Sequence, residues 1–169
     1  MLIKRRALHV LLIATAVLLS ACGFQLRGSN NQASLPFKTI YLGFPESSLL
    51  GAELKRNIRA SGKTSVAAEA KTAQVVLEVL SETREKAVLS LNSQGRVREY
   101  TLYYKLRFQV KDSKENELLV PTEIVLKRDI SFNEAQVLAK EKEEELLYRD
   151  MQSDLVQQIL RRLTAIKPV

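Results

Sequence analysis

The chain is short of the side chains that most enzymatic chemistry uses. It has one Cys, one His and no Trp among 169 residues. A single Cys excludes an intramolecular disulfide and a Cys-rich zinc site. Six Gly residues are scattered along the chain, and none of them builds a Gly-rich phosphate loop. Acidic residues are outnumbered, 19 against 26 basic ones, for a formal charge of +7 and a pI near 9.6. Taken alone, that balance invites a nucleic-acid reading. Apolar residues make up 46% and charged residues 27%, which argues against wholesale disorder. The length suits one domain with a sizeable core.

The N-terminus changes the meaning of these counts. Lys4, Arg5 and Arg6 form a positive start, and residues 7–19 are apolar except for His9 and Thr15. Such a run spans roughly 20 Å as a helix, short of a ~30 Å hydrocarbon core. It has the length of a signal-peptide h-region. It ends in Leu19-Ser20-Ala21-Cys22, which resembles the lipobox of bacterial lipoproteins. On this reading residues 1–21 are a signal peptide, and Cys22 becomes the first residue and carries covalent lipid. The only His is lost, and the charge falls to +4 over 148 residues. Two or three acyl chains, at ~0.8 kcal/mol per buried methylene, anchor stably where one is marginal. An exported chain has little use for a nucleic-acid partner. Gly23 stands where an Asp retains many Gram-negative lipoproteins in the inner membrane, which favours the periplasmic face of the outer membrane.

Residues 22–36 are rich in Ser, Asn, Gln and Gly and read as a tether, followed by one folded domain over 37–169. Residues 37–42 read as a strand. The Ser47-Ser48 pair offers a helix N-cap, and Leu50, Leu54 and Ile58 mark one amphipathic helix ended by Gly62. Residues 64–67 leave room for a short extended piece. Residues 74–80 are strand-like, and the strand reading extends, with a weaker signal, towards Leu91. The clearest element is 99–111, where Tyr100, Leu102, Tyr104, Leu106, Phe108 and Val110 take every even position between polar odd ones. That alternation predicts a long strand with one buried and one wet face. Asn92-Ser93-Gln94-Gly95 joins it to the preceding strand as a hairpin. Leu118, Val120, Ile124, Leu126, Ile130 and Phe132 predict a further strand, in which Pro121 marks an edge position or a bulge. Asn133, with Gln136 three residues on, predicts a capping box. It opens a helix striped by Ala135, Leu138, Leu147, Met151, Leu155, Ile159, Leu163 and Ile166, with a solvated turn at 140–145. The predicted fold class is α+β: two helices on one face of a mostly antiparallel four-stranded sheet, in β-α-β-β-β-α order.

Without His or free Cys in the mature chain, a Ser-His-Asp triad, a Cys protease and nearly all zinc hydrolases are excluded. No catalytic residue, metal site or cofactor is expected beyond the lipid on Cys22. A binding, carrier or scaffold role follows.

The stretch Cys22-Gly23-Phe24-Gln25-Leu26-Arg27-Gly28 resembles the mature start of the LPS-assembly lipoprotein LptE family. So do Gly95 with Glu99-Tyr100, and Phe132-Asn133 followed by Gln136-Val137-Leu138-Ala139-Lys140. The resemblance implies an outer-membrane lipoprotein that plugs the β-barrel LptD and helps it assemble. Together the two insert lipopolysaccharide into the outer leaflet. It also implies direct lipopolysaccharide binding through basic residues of the turn region and the last helix's start. Lys140 matches one such residue. In the turn, the place where some members carry Arg holds Ser93, and Arg96 and Arg98 lie just beyond.

Read from the residues themselves, Lys105 and Arg107 lie on the wet face of the long strand, with Lys127 and Arg128 on the next one. Arg gives phosphates and carboxylates planar, bidentate donors, and Lys gives a point charge. Arg96, Arg98, Lys105, Arg107 and Lys140 are therefore the candidate lipopolysaccharide contacts, against a reading as solubilising edge charges. Tyr103, Leu118 and Leu119 are candidate barrel contacts, against ordinary packing. An independent periplasmic lipid carrier or envelope adaptor is the alternative function.

Overall fold

The computed structural model describes residues 35–167. The expected signal peptide, Cys22 and residues 23–34 lie outside the described residues. Along the chain come β1 (Thr39–Gly43), α1 (Leu49–Ala60), β2 (Ser65–Val66), a 3-10 turn (Ala70–Thr72) and β3 (Val75–Leu91). Then follow β4 (Val97–Asp112), β5 (Glu117–Ser131), a second 3-10 turn (Glu134–Gln136) and α2 (Val137–Thr164). No helix among the described residues is long and apolar enough to cross a membrane.

The α+β class stands, with both helices against the sheet, but the sheet differs from the expected one. It has five strands in the order β2-β1-β3-β4-β5, and it is mixed. β1 runs parallel to both β2 and β3, while β3, β4 and β5 form an antiparallel meander. α1 supplies the reason. It carries the chain back to the level where β1 starts, so the piece after it can only lie parallel to β1. There the Thr64 hydroxyl donates to the Phe37 carbonyl at 2.9 Å, and the Ser65 amide donates to the Lys38 carbonyl at 2.9 Å. β2 falls inside the piece 64–67 read as extended, but two residues are too few for periodicity to show that it joins the sheet.

The core fills one face of the meander. Leu102, Tyr104, Leu106, Phe108 and Val110 of β4 are fully buried, as the alternation predicts. Leu50, Leu54 and Ile58 of α1 and Met151, Leu155, Ile159 and Leu163 of α2 cover them. Leu35, placed in the tether by its composition, is buried in the same core. Ser48 caps α1, its hydroxyl accepting from the Gly51 amide at 3.0 Å, and Gly62 closes the helix at φ +68°. Ser61 donates from both its amide and its hydroxyl to the Ile58 carbonyl, and the Gly62 amide donates to that of Arg59.

Three expectations need correction. In β5, Val120 is 59% exposed, and Leu119 takes the inward place opposite Val110. β5 has one residue more than β4 between the pairs Phe108↔Thr122 and Val110↔Leu119, so the extra residue beside Pro121 reverses the alternation. Pro121 thus sits at a bulge on an edge strand, where its missing N–H costs no ladder bond. Asn133 caps the 3-10 turn rather than α2, its side chain accepting from the Ala135 amide at 3.0 Å. Leu138 is 76% exposed, because the first turns of α2 pass beyond the aliphatic core.

Gly51 has no room for a side chain. A Cβ built there would sit 2.6 Å from the Phe44 Cβ. Ala is better than Gly in a helix by about 1 kcal/mol. Overpacking costs about 1–3 kcal/mol. Gly51→Ala should therefore lower stability, and a rise in urea midpoint would contradict this packing. Phe108→Ala should cost about 3–5 kcal/mol in the same measurement.

Candidate functional site

The end of the sheet formed by the β3–β4 turn and the start of α2 gathers three of the five predicted basic contacts. The turn is built by Asn92, whose side chain accepts from the Gln94 and Arg96 amides at 2.9 and 3.0 Å. Gly95 closes it at φ +75°, a conformation that suits Gly alone at low cost. Arg96 reaches across to Glu134 at 3.2 Å, with both side chains more than half exposed. Its second guanidinium nitrogen bonds Gln94. Arg98 is the unmatched residue of a bulge, since Glu99 faces Ser90 and Val97 faces Leu91. Its guanidinium lies 3.7 Å from the Glu99 carboxylate and is two-thirds exposed. Lys140 donates to the Ser131 hydroxyl at 2.9 Å and to Glu143 at 2.8 Å, fastening α2 to the end of β5. Asn92, Arg96, Arg98, Phe132, Asn133 and Glu134 line an opening of about 310 Å³. Val88, Leu89 and Leu91 of β3 and Leu138 of α2 are each more than half exposed at this same end.

Lys105 and Arg107 are not part of that group. They lie seven and nine residues along β4 from Arg98. At ~3.3 Å per strand residue that is roughly 23 and 30 Å. They face outward from the sheet, where charges of both signs alternate. Lys105 donates to Glu85 at 2.7 Å, and this hydrogen bond, together with the Glu85 charge, holds its ammonium above the usual lysine range. Arg107 lies opposite Ser81 and Glu123, and takes part in no ion pair among the described residues. Lys127 lies opposite Tyr103 on the outer face. Arg128 turns the other way, to Asp154 of α2 at 2.8 Å. A single basic patch running from turn to strand is thus replaced by a basic end and a chequered face. Tyr103 is half-buried on that face, with the Lys105 ammonium 5.5 Å from its ring centre. Leu118 and Leu119 are half-buried and pack against the protein's own core.

The site also contains a polar layer that sequence reasoning missed. β3 gains one residue at Leu80, between the pairs Val79↔Phe108 and Ser81↔Arg107. Beyond it Glu82, Arg84 and Lys86 turn to the helix side, opposite Leu106, Tyr104 and Leu102. The Tyr104 hydroxyl donates to Glu82 at 2.6 Å and accepts from Arg84 at 3.1 Å. Arg84 lies over the rings of Tyr104 and Tyr148 at 4.5 and 5.3 Å, and also donates to Gln152 at 3.2 Å. Gln152 in turn donates to Glu53 of α1 at 2.6 Å. Lys86 pairs with Glu144 of α2 at 2.5 Å and lies 4.4 Å from the Tyr100 ring centre. Burial, then the Glu82 carboxylate, push the Tyr104 phenol up to about 12. The signal for this layer is the polar run 81–86, following adjacent Val79 and Leu80 in a strand otherwise apolar on alternate positions.

A one-sided sheet covered by two helices, with a basic and partly apolar end, defines a mixed-sheet α+β domain. The family described as "LptE: Lipopolysaccharide-assembly" matches residues 37–163, and the chain belongs to it. Among its relatives is the LPS-assembly lipoprotein LptE of Pectobacterium atrosepticum, 27% identical over 96% of this chain and 88% of that protein. That of Yersinia enterocolitica is 26% identical over 96% of this chain and 78% of that one. Among solved structures, an uncharacterized lipoprotein B from Nitrosomonas europaea is 40% identical, with a TM-score of 0.72 over 85% of this chain and 91% of that one. The rare lipoprotein B from Shewanella oneidensis is 26% identical, with a TM-score of 0.66 over 76% of this chain and 95% of that one.

Tyr104 generates a prediction about pH. The fold favours its neutral phenol, so the stabilisation is complete below the ordinary tyrosine value near 10 and drains away as pH climbs towards 12. Tyr104→Phe should lower stability at neutral pH by about 1–2 kcal/mol through the lost hydrogen bonds. It should also flatten the loss between pH 10 and about 12. Parallel alkaline profiles for the two proteins would show that Tyr104 does not titrate in this way.

Proposed function

We propose that this protein is a lipid-anchored subunit of the lipopolysaccharide-assembly machinery, working by binding and not by catalysis. Family membership supports the assembly role. In this reading Cys22 carries the lipid, the periplasmic face of the outer membrane holds the protein, and the β-barrel LptD is its partner. The protein plugs that barrel, helps it assemble, and takes part in moving lipopolysaccharide to the outer leaflet.

Direct lipopolysaccharide binding belongs to the β3–β4 turn and the start of α2. The observation that carries it is the meeting there of Arg96, Arg98 and Lys140 with the exposed aliphatic residues Val88, Leu89, Leu91 and Leu138. Lipopolysaccharide is an amphiphile with phosphates next to acyl chains, and such an end offers donors and apolar surface together. The guanidiniums of the Arg96–Glu134 and Arg98–Glu99 pairs are exposed, and exposed pairs are worth only about 0–1 kcal/mol. A phosphate can therefore displace them at low cost. Lys105 and Arg107 provide a second, separate contact along the sheet face. Tyr103 on that face is one anchor for the barrel wall, and Leu118 and Leu119, about seven residues further along β4 beside Val110, are a separate one. An independent lipid carrier is less favoured, because helices fill the inner face of the sheet and the outer face is charged.

Replacing Arg96, Arg98 and Lys140 together by Glu should reduce capture of lipopolysaccharide at least about tenfold, with the circular dichroism unchanged. Lys105→Glu with Arg107→Glu should reduce it less. Equal capture by the triple variant and the parent would sink the assignment. Affinity purification of the intact lipoprotein should recover an outer-membrane barrel in one-to-one ratio. A soluble monomer that extracts lipid would instead support the carrier. Palmitate should label the parent chain and leave a Cys22→Ser variant unlabelled.

A further inference from the structure

Both layers of the domain step inward at one place. β1 accompanies β3 as far as the pair Gly43↔Glu78, and β3 runs on alone on that side to Leu91. The chain leaves the sheet there and turns to Ser48, whose hydroxyl lies 3.3 Å from the Glu82 carboxylate, to open α1. α2 starts beside Ser131, at the turn end of the sheet, and α1 meets it through Glu53 at Gln152 and Ser153. Before Gln152, α2 has no helix beside it among the described residues. Past the step the fold is thus three strands and one helix.

The step leaves one edge of β3 bare. The Phe132 amide donates to the Arg98 carbonyl, so Arg98 and the even residues after it in β4 turn their main-chain groups to β5. The odd residues of β4 face β3, where Ser81, Thr83, Glu85 and Ala87 lie opposite them. Glu82, Arg84, Lys86 and Val88 alternate with these, so their N–H and C=O groups point away from β4. No strand lies on that side, and none of these groups has a hydrogen-bond partner among the described residues. Edges are commonly blunted by Pro, by bulges or by free charges. β5, the opposite edge, has Pro121 at a bulge, and Glu123 and Lys127 take part in no ion pair among the described residues. On β3 the bulges at Leu80 and Leu89 lie to either side and leave 81–88 regular. The charges there are engaged on the inner face, Glu82 with Tyr104, Arg84 with Gln152 and Lys86 with Glu144. Two openings border this edge. One of about 540 Å³ is lined by Gly43, Pro45, Leu80, Glu82 and Arg84, and one of about 390 Å³ by Lys86 and by Glu141, Glu144, Glu145 and Tyr148 of α2.

We infer that the edge of β3 over Glu82–Val88 takes up an extended segment of the barrel partner as an added strand. The inference rests on the reading of this protein as a plug in a β-barrel. A row of alternating N–H and C=O groups is answered in full by one chemistry, another extended main chain. Seven strand residues offer it roughly 20 Å. The wall of a closed barrel has no edge of its own to give, so the segment belongs to a connection between wall strands. Its side chains alternate between the two faces of the sheet. Those on the inner face meet Glu141, Glu144 and Glu145, and Glu141 takes part in no ion pair among the described residues, so Lys or Arg suits them. The same carboxylates disfavour a second copy of this chain, because an antiparallel pairing of two such edges brings two acidic flanks of α2 together.

The test compares amide hydrogen exchange in the intact lipoprotein alone and in its complex with the barrel. Alone, the amides of Arg84, Lys86 and Val88 should exchange freely, while β4 protects those of Thr83, Glu85 and Ala87. In the complex the first three should slow at least about a hundredfold. The amides of Lys127 and Asp129, on the bare side of β5, should stay fast. Val88→Pro removes an outward N–H at no cost to the ladder with β4, and should cut recovery of the barrel at least about tenfold with the circular dichroism unchanged. If that variant fails to fold, Lys86→Pro carries the same test. Fast exchange at Arg84, Lys86 and Val88 in the complex would overturn the added strand. So would equal slowing at Lys127 and Asp129, which would mean general shielding inside the barrel. Slowing in the lipoprotein alone as its concentration rises would assign the edge to a second copy, and would also overturn it. Failure to recover any barrel refutes the plug reading and the inference with it, whereas a barrel complex with fast edge amides refutes the strand alone.

Discussion

At Leu80 β3 gains one residue that β4 does not match, and the side chains beyond it change face. Before the bulge, Val75, Leu77 and Val79 point into the core. After it, Glu82, Arg84 and Lys86 occupy the same side. α2 therefore meets two different surfaces. Its second half packs Leu155, Ile159 and Leu163 onto aliphatic side chains. Its first half meets a layer of ions and aromatic rings, through Glu144, Tyr148 and Gln152. Charges held this way are costly to desolvate and cheap only when fully paired. The layer meets that condition, because each of its groups has a partner in β3, β4 or one of the helices.

The parts of the fold legible in the sequence are those with a long, regular period. The alternation of β4 over 99–111 shows its buried side residue by residue, and the four-residue spacing of Leu50, Leu54 and Ile58 shows that of α1. The Asn92–Gly95 turn and the Ser48 cap were legible because their chemistry is local. What escaped depends on a partner elsewhere in the chain. β2 exists only because β1 offers it a ladder, and a one-residue bulge is visible only once two strands are paired. The candidate site divides in the same way. Its residue types were legible, but the separation of Arg96, Arg98 and Lys140 from Lys105 and Arg107 was not, since it depends on where α2 and β5 meet.

The charges of the domain follow a gradient that its net value conceals. The outer face of the sheet mixes signs and pairs many of them, as Lys105 with Glu85 and Lys111 with Glu78 show. Unlike charges placed across strands stabilise a solvated face and discourage sheet edges from joining. The two ends, by contrast, differ in what accompanies their bases. One combines its bases with exposed aliphatic residues, and the other sets the bases of the helix ends beside Asp112, Glu115 and Glu117 of the β4–β5 turn.

The sheet order has a consequence for the time course of assembly. β3, β4 and β5 are neighbours in sequence and in space, joined by tight turns, so they can pair as soon as residues 75–131 exist. Their apolar face is completed only by α2, the last element made. For as long as synthesis or export delivers the chain from its N-terminus, Leu102, Leu106 and Phe108 have α1 but not α2 to shelter them. A chain cut short before residue 137 would leave that face uncovered and become a client for chaperones or proteases.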